Sequence, residues 1–334
     1  MLFVTHPRYA HHDAGYGHPE RPARLVAVRQ GVVAAGLQEA VLDVEARRAT
    51  RAELSRVHPE EYLDAIEGFC AAGGGHIDAD TSAVPASWDA AVLAAGAGMT
   101  AIERLDDGEA SAAFCAVRPP GHHATPRRAM GFCLLNNVAV AAAALAERGE
   151  RVLIVDYDAH HGNGTQAAFY HDPRVLYVSL HEYPLYPGTG ALDETGGGRG
   201  AGFTVNVPLP AGATGDVYRH AIDDVVTPIA EHWSPTWLIV SAGFDAHRAD
   251  PLTGLALTSG DFADLTGQLA HLVAPGRRLL FLEGGYDLTA LTDCTGAALA
   301  ALAGTSHRPE PASSGGPGSV IVDAVLKVRH VAVD

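Results

Sequence analysis

Apolar residues fall in short runs along this chain, and most runs end on residues that can bind or react. Val152–Val155 leads into Asp156, Asp158, His160 and His161. Ala112–Val117 leads into Arg118-Pro-Pro-Gly-His122-His123, and Val175–Leu180 into His181-Glu-Tyr. Trp237–Ser241 leads into Ala-Gly-Phe-Asp245-Ala-His247, and Leu279–Leu282 into Glu-Gly-Gly-Tyr286-Asp. Runs this short and this rich in Val, Ile and Leu predict buried strands, and Leu2–Thr5 predicts another. Between them, spacing and composition predict helices over Leu25–Ala35 (with Gly36 as the stop), Pro59–Ala72, Trp88–Leu105, Asn137–Arg148, Val217–Glu231 and Ser259–Leu272. Gly73–Asp80 reads as a loop. Strands alternating with helices imply a mainly parallel sheet, whose ligand sites form beyond the carboxyl ends of the strands. That arrangement collects the polar residues at one edge of one sheet.

The final stretch reads differently. Ser306–Gly318 is rich in Pro, Gly and Ser and predicts a linker, followed by an apolar segment, Val320–Val333, that docks back on the body. No repeat and no domain boundary is visible, so 1–334 reads as a single domain.

Composition narrows the class. With 334 residues and 47% hydrophobic content, the chain can bury a large core. A net charge of −16 argues against nucleic-acid binding. It mildly favours cationic substrates such as lysine side chains or polyamines, although ordinary solubility charge explains it as well. The four cysteines (Cys70, Cys115, Cys133, Cys294) form no C-x-x-C pair, which speaks against a thiolate zinc site or a disulfide framework. No signal peptide and no membrane span are apparent, so a cytoplasmic protein is expected.

The strand ends carry the chemistry. If the strand after Arg151 continues, Asp156, Asp158 and His160 share one face. Asp158, His160 and Asp245 then offer three mixed N and O donors, the number a catalytic zinc site uses while leaving one position open. Asp156 is either a fourth ligand or, as favoured here, a carboxylate that orients a neighbouring imidazole. One histidine of the His122-His123 pair can take a proton from water near the metal and deliver it to a leaving amine. Tyr286, after two glycines, can donate to the oxyanion of a tetrahedral intermediate. Phe132 and Tyr186 are loop aromatics able to wall a slot for an alkyl chain; taken singly, each is more readily a packing residue.

Together these segments resemble the histone deacetylase family, in particular its class II-like branch, the bacterial deacetylase-like amidohydrolases and the acetylpolyamine amidohydrolase relatives. The resemblance rests on HPERPARL at 18–25, RPPGHHA at 118–124, GFCLLNN at 131–137, VDYDAHHGNGT at 155–165, VSLHEY at 178–183, YPGTG at 186–190, VNVPLP at 205–210, SAGFDAHRADPL at 241–252 and EGGYD at 283–287. It implies an arginase/deacetylase-like fold, three-layer α/β/α with a central, mainly parallel sheet of about eight strands. It implies Zn²⁺ on Asp158, His160 and Asp245, with His123 as general base and acid, and His122 as electrostatic support. Asp156 would orient His122, Asn163 would back His123, and Tyr286 would polarise the acyl carbonyl. Asn163 stands where much of the family has a carboxylate, which should leave His123 less basic. The tunnel would be formed by Gly131, Phe132, Tyr186, Leu252 and Gly284. A structural K⁺ would be held by Asp156, Asp158 and Ser179 with main-chain oxygens of His160 and Leu180.

The implied reaction is metal-assisted hydrolysis of an acylated amine, with an acetylated lysine peptide or an acetylated small amine as partner. Some polyamine-selective relatives place a Glu after the Asp-Pro that follows the third ligand; here Leu252 follows Asp250-Pro251, favouring acyl-lysine. A binuclear manganese hydrolase would need further carboxylates where this chain has Asn163 and His247. A catalytically dead relative would usually have lost a ligand or the tyrosine. The ligand set suits Zn²⁺, Fe²⁺ and Co²⁺ alike.

Overall fold

The computed structural model of the chain describes residues 1–332. Among the described residues there are ten strands: β1 (Leu2–Thr5), β2 (Leu42–Glu45), β3 (Gly75–His76), β4 (Ser82–Ala83), β5 (Ala113–Cys115), β6 (Val152–Asp156), β7 (Val175–Glu182), β8 (Thr204–Leu209), β9 (Trp237–Ala242) and β10 (Arg278–Leu282). Eight of them form one sheet in the order β2-β1-β5-β10-β9-β6-β7-β8, and every pairing is parallel. β3 and β4 make a small antiparallel hairpin inside the segment expected as a loop.

Successive residues of each strand enter different cores, which is why the strands read as unbroken apolar runs. Phe3, Phe114, Leu153 and Val155 enter one core with the helices Ala23–Ala34, Ser259–Ala270 and Leu288–Leu302. Leu2, Val4, Ala113, Cys115, Val152 and Ile154 enter the other, beneath Ser87–Asp106 and Asn137–Glu147. The result is the arginase/deacetylase-like α/β fold, with helices on both faces of an eight-stranded sheet.

Several elements depart from the sequence reading. The two outermost strands were not recognised. β2 is mostly exposed, so its LDVE sequence carries little apolar signal. β8 contains Pro208, which an edge strand accommodates because one side of its backbone needs no partner. The helix Leu288–Leu302 was also missed. The expected helix over Val217–Glu231 is instead Gly215–Ala221 and Thr227–Trp233 joined by a wider turn at Ile222–Val226. Pro228 explains the interruption, since it lacks an N–H and its ring crowds the carbonyl four residues back. The terminal segment forms a helix, Ser319–Ala332, that seats Val322 and Val325 in the first core; Val333 lies outside the described residues. Among the described residues, no helix is long and apolar enough to cross a membrane.

Candidate metal centre and catalytic cavity

β6 ends at Asp156, so strand alternation does not align Asp156, Asp158 and His160 as expected. A tight turn brings Asp158 and His160 together instead. The Asp158 Oδ1 accepts the His160 N–H at 2.9 Å, and Oδ2 accepts the Gly284 N–H from the end of β10 at 2.8 Å. Asp245, just past β9, is fixed by the Ala159 N–H at 2.8 Å. The candidate ligand atoms of Asp158, His160 and Asp245 lie within 4.8 Å of one another. His160 Nδ1 is 3.0 Å from Asp245 Oδ2 and 3.3 Å from Asp158 Oδ1.

Three carboxylates, those of Asp156, Asp158 and Asp245, are fully buried here. Among the described residues their only ion-pair partners are His122 and His160. A buried anionic cluster without Lys or Arg is costly unless a cation joins it. Glycines make room for the cluster. A Cβ at Gly243 would stand 1.9 Å from Asp158 Oδ2, and one at Gly284 would stand 2.1 Å from Asp245 Oδ2.

The His pair follows β5. His122 Nδ1 is 3.1 Å from Asp156 Oδ2, and His123 Nδ1 is 2.9 Å from Asn163 Oδ1. Their rings are 4.0 Å apart, yet their surroundings push their basicities in opposite directions. Burial pushes His122 down, but Asp158, Asp156 and Glu283 more than offset this and raise it to about 10. His123 falls well below the ordinary value through burial and the charges of His122 and His160. With Nδ1–H donated to Asn163, the neutral His123 ring keeps Nε2 as an acceptor. Burial raises Asp156 to about 6 against the pull of His122.

His123, Gly131, Phe132, His160, Tyr186, Leu252 and Tyr286 line one cavity of about 200 Å³, together with Asp80. Phe132 adopts φ 67, a left-handed conformation uncommon for a large side chain. Its N–H bonds Thr81 Oγ1 at 3.1 Å, and its ring meets Tyr286 edge-on at 5.8 Å. Gly131 is sterically required, since a Cβ would stand 2.4 Å from the His123 ring. Ser179 pairs with Asp156 in the β6–β7 register, and its hydroxyl meets His181 Nδ1 at 2.9 Å. The Leu180 carbonyl accepts the Tyr218 hydroxyl at 3.3 Å.

Sequence reasoning missed three supporting groups. Glu283, the first residue beyond β10, accepts the N–H groups of Gly121 and His122 at 2.7 and 3.1 Å, clamping the turn that carries the His pair. A carboxylate closing a buried apolar run was its signal. Asp250 accepts the Tyr286 N–H at 2.7 Å. The third group is a buried ion-pair system in which Glu20 meets both Arg118 and Arg24, while Arg24 also bonds the Gly285 and Glu283 carbonyls. Both arginines stood in recognised motifs without an assigned role. Asp80 also escaped notice, and nothing in its Gly-rich surroundings marked it.

Two buried aspartates and a histidine, grouped so that they could hold a metal ion, stand beside a histidine pair and a tyrosine at the carboxyl edge of a parallel sheet. Residues 18–302 match the histone deacetylase domain, and the chain belongs to the histone deacetylase family. It is 40% identical over 291 residues to a probable deacetylase of Archaeoglobus fulgidus, covering 85% of this chain and 81% of that protein. It is 38% identical to a histone deacetylase-like amidohydrolase of Pseudomonas aeruginosa, covering 87% and 78%. Identity to histone deacetylase 15 of Arabidopsis thaliana is 42%, over 95% of this chain but only 58% of the plant protein. The crystal structure of the HDA15 HD domain superposes with a TM-score of 0.90 at 39% identity, covering 98% of this chain and 93% of that one. The chain is therefore a deacetylase-family hydrolase.

Proposed function

We propose that this protein is a zinc-dependent deacetylase that removes acetyl or related acyl groups from lysine side chains. One observation carries the reading: His160, a member of the Asp158–His160–Asp245 cluster, lines the same cavity as His123 and Tyr286, with Phe132 and Tyr186 also in its wall. The donor set and the three buried carboxylates, faced only by His122 and His160 among the described residues, suit a divalent cation held by Asp158, His160 and Asp245. Bound zinc supplies a Lewis acid that polarises the acyl carbonyl and makes water more acidic.

The chain's own groups do the rest. His123 accepts the proton of the attacking water at Nε2 and later gives it to the leaving amine. Asn163 holds the ring in the required tautomer. His122 stays cationic against Asp156 and steadies developing negative charge. The Tyr286 hydroxyl donates to the oxyanion. Phe132 and Tyr186 grip the alkyl chain and exclude water from it. A structural K⁺ fits the pairing of Asp156 with Ser179, completed by Asp158 and the carbonyls of His160 and Leu180. Segments in or following the strands of one sheet supply these residues, which supports reading 1–334 as one deacetylase domain.

A second reading is an acetylated small amine, such as an acetylpolyamine. Asp80 in the cavity wall favours it, because a carboxylate there attracts a second ammonium group. Exposed, apolar Leu252 favours the peptide. Comparing kcat/KM on an acetyl-lysine peptide and on N-acetylputrescine, with a chelated control, decides between them. Preference for the peptide and loss of turnover on chelation are expected. Turnover that survives complete metal removal would overturn the zinc assignment.

A further inference from the structure

The segment 306–318 lies beyond the matched deacetylase domain and has no regular secondary structure, yet it is pinned along its length. Thr258 Oγ1 donates to the Pro311 carbonyl at 2.7 Å. Ser313 donates its N–H and hydroxyl to the buried Asp261 carboxylate, the hydroxyl at 2.6 Å. The most informative anchor is Glu310. Its Oε2 meets His247 Nε2 at 2.8 Å and accepts the Ser259 N–H at 3.0 Å, while Oε1 accepts from Arg248 at 2.6 Å.

His247 and Arg248 belong to the loop that supplies the catalytic cavity. This loop carries Asp245, then Asp250, which holds the Tyr286 N–H, then Leu252 in the cavity wall. The His247 side chain is only 6% exposed. Its Nδ1 accepts the Ala249 N–H at 3.1 Å, so Nε2 carries the proton and donates it to Glu310. The loop is closed by the Asp250 N–H to the His247 carbonyl at 2.8 Å and by Thr253 Oγ1 to the Asp245 carbonyl at 2.5 Å. His247 is thus the hub of the turn between metal ligand and tyrosine, and Glu310 is its one side-chain partner among the described residues.

We propose that Glu310 is a positioning residue of the active site: through His247 and Arg248 it fixes the 245–252 loop, and so sets Asp245 and, by way of Asp250, Tyr286. The C-terminal segment outside the matched domain is then part of the working enzyme. Removing the carboxylate leaves a buried N–H without an acceptor, and the loop must move to satisfy it. The inference rests on Asp245 as metal ligand and Tyr286 as oxyanion donor.

The test measures kcat, KM, zinc affinity by chelator competition and Tm for the full chain and three variants. Glu310→Ala is expected to lower kcat and weaken zinc binding by about 10-fold or more, the scale seen on removing partners that orient metal ligands, with KM nearly unchanged. Glu310→Gln keeps an acceptor for His247 and should recover most of both. Arg308→Ala removes an ion pair to Asp264 from the same segment without touching the loop, and should leave kcat and zinc affinity unaltered. Should Glu310→Ala fail to fold, Glu310→Asp replaces it, with the same expected direction. A lower Tm with unchanged kcat and zinc affinity would reduce Glu310 to a structural anchor and overturn the proposal. Failure of the unmodified protein to bind zinc or to turn over would instead overturn the functional reading on which it rests.

Discussion

Replacing Gly284 with alanine is expected to disable the metal centre while leaving the fold in place. The new methyl group would stand 2.1 Å from Asp245 Oδ2 and 2.7 Å from Asp158 Oδ2. Ordinary contact needs about 3.5 Å, so the Asp245 carboxylate must withdraw by roughly 1.4 Å and that of Asp158 by roughly 0.8 Å. Neither has an easy path. Asp158 is held by the N–H groups of His160 and Gly284 itself, Asp245 by that of Ala159, and both are fully buried. Gly284 is not among the residues with left-handed φ, so the effect comes from the clash and not from backbone strain. Displacement of a reacting group by about 1 Å can lower the rate on the order of 100-fold, and that loss in kcat/KM is expected together with weaker zinc binding. The assay is kcat/KM on the preferred substrate beside chelator competition for the metal. Gly68→Ala is the control. It lies inside the helix Glu60–Ala71 with open space around its Cβ, and should stabilise the protein by about 0.5–1 kcal/mol without altering turnover. Gly284→Ala with kcat/KM within about threefold of the unmodified enzyme and a full metal complement would refute the placement of these carboxylates around a shared ion.

Tyr286→Phe should reduce kcat by about 100-fold or more with zinc retained, on the scale of losing one oxyanion donor; near-normal kcat would remove the hydroxyl from the mechanism. Leu252→Glu adds a carboxylate to the cavity wall and should shift the kcat/KM ratio toward N-acetylputrescine, whereas an unmoved ratio would show that this position does not select substrate. Acid stability depends on Glu53: burial alone would raise its carboxyl, but Arg47 and the Thr50 helix cap hold it down at about 2 from an ordinary 4.5. A lowered folded-state pKa stabilises the protein above pH 4.5, and that stabilisation fades as pH falls toward about 2. Glu53→Gln should therefore melt earlier than the unmodified protein at pH 7, with the gap closing through this window. A gap that stays constant down to the acid limit would contradict the Glu53 assignment.

Much of the site was legible in the sequence because its residues follow immediately on buried apolar runs. A parallel strand covered on both faces must be apolar throughout, so the first polar residue beyond it marks the sheet edge where ligands bind. Asp158, His160, Asp245 and the His122–His123 pair were all found this way. The edge strands β2 and β8 were not. One is mostly exposed and the other carries a proline, so neither has the composition of a buried strand.

Tertiary structure decided how those residues meet. Alternation along a strand was expected to align Asp156, Asp158 and His160, but β6 stops at Asp156. The alignment depends on the Gly284 N–H, more than 120 residues further on, reaching back to Asp158. The roles of Asp250 and Glu310 were invisible for the same reason. A carboxylate that clamps a backbone turn or an imidazole from across the fold has no periodicity and no fixed spacing from its partner. Local sequence determined which side chains stand at the strand ends. The long-range hydrogen bonds that hold them within reach of one ion exist only once the sheet is assembled.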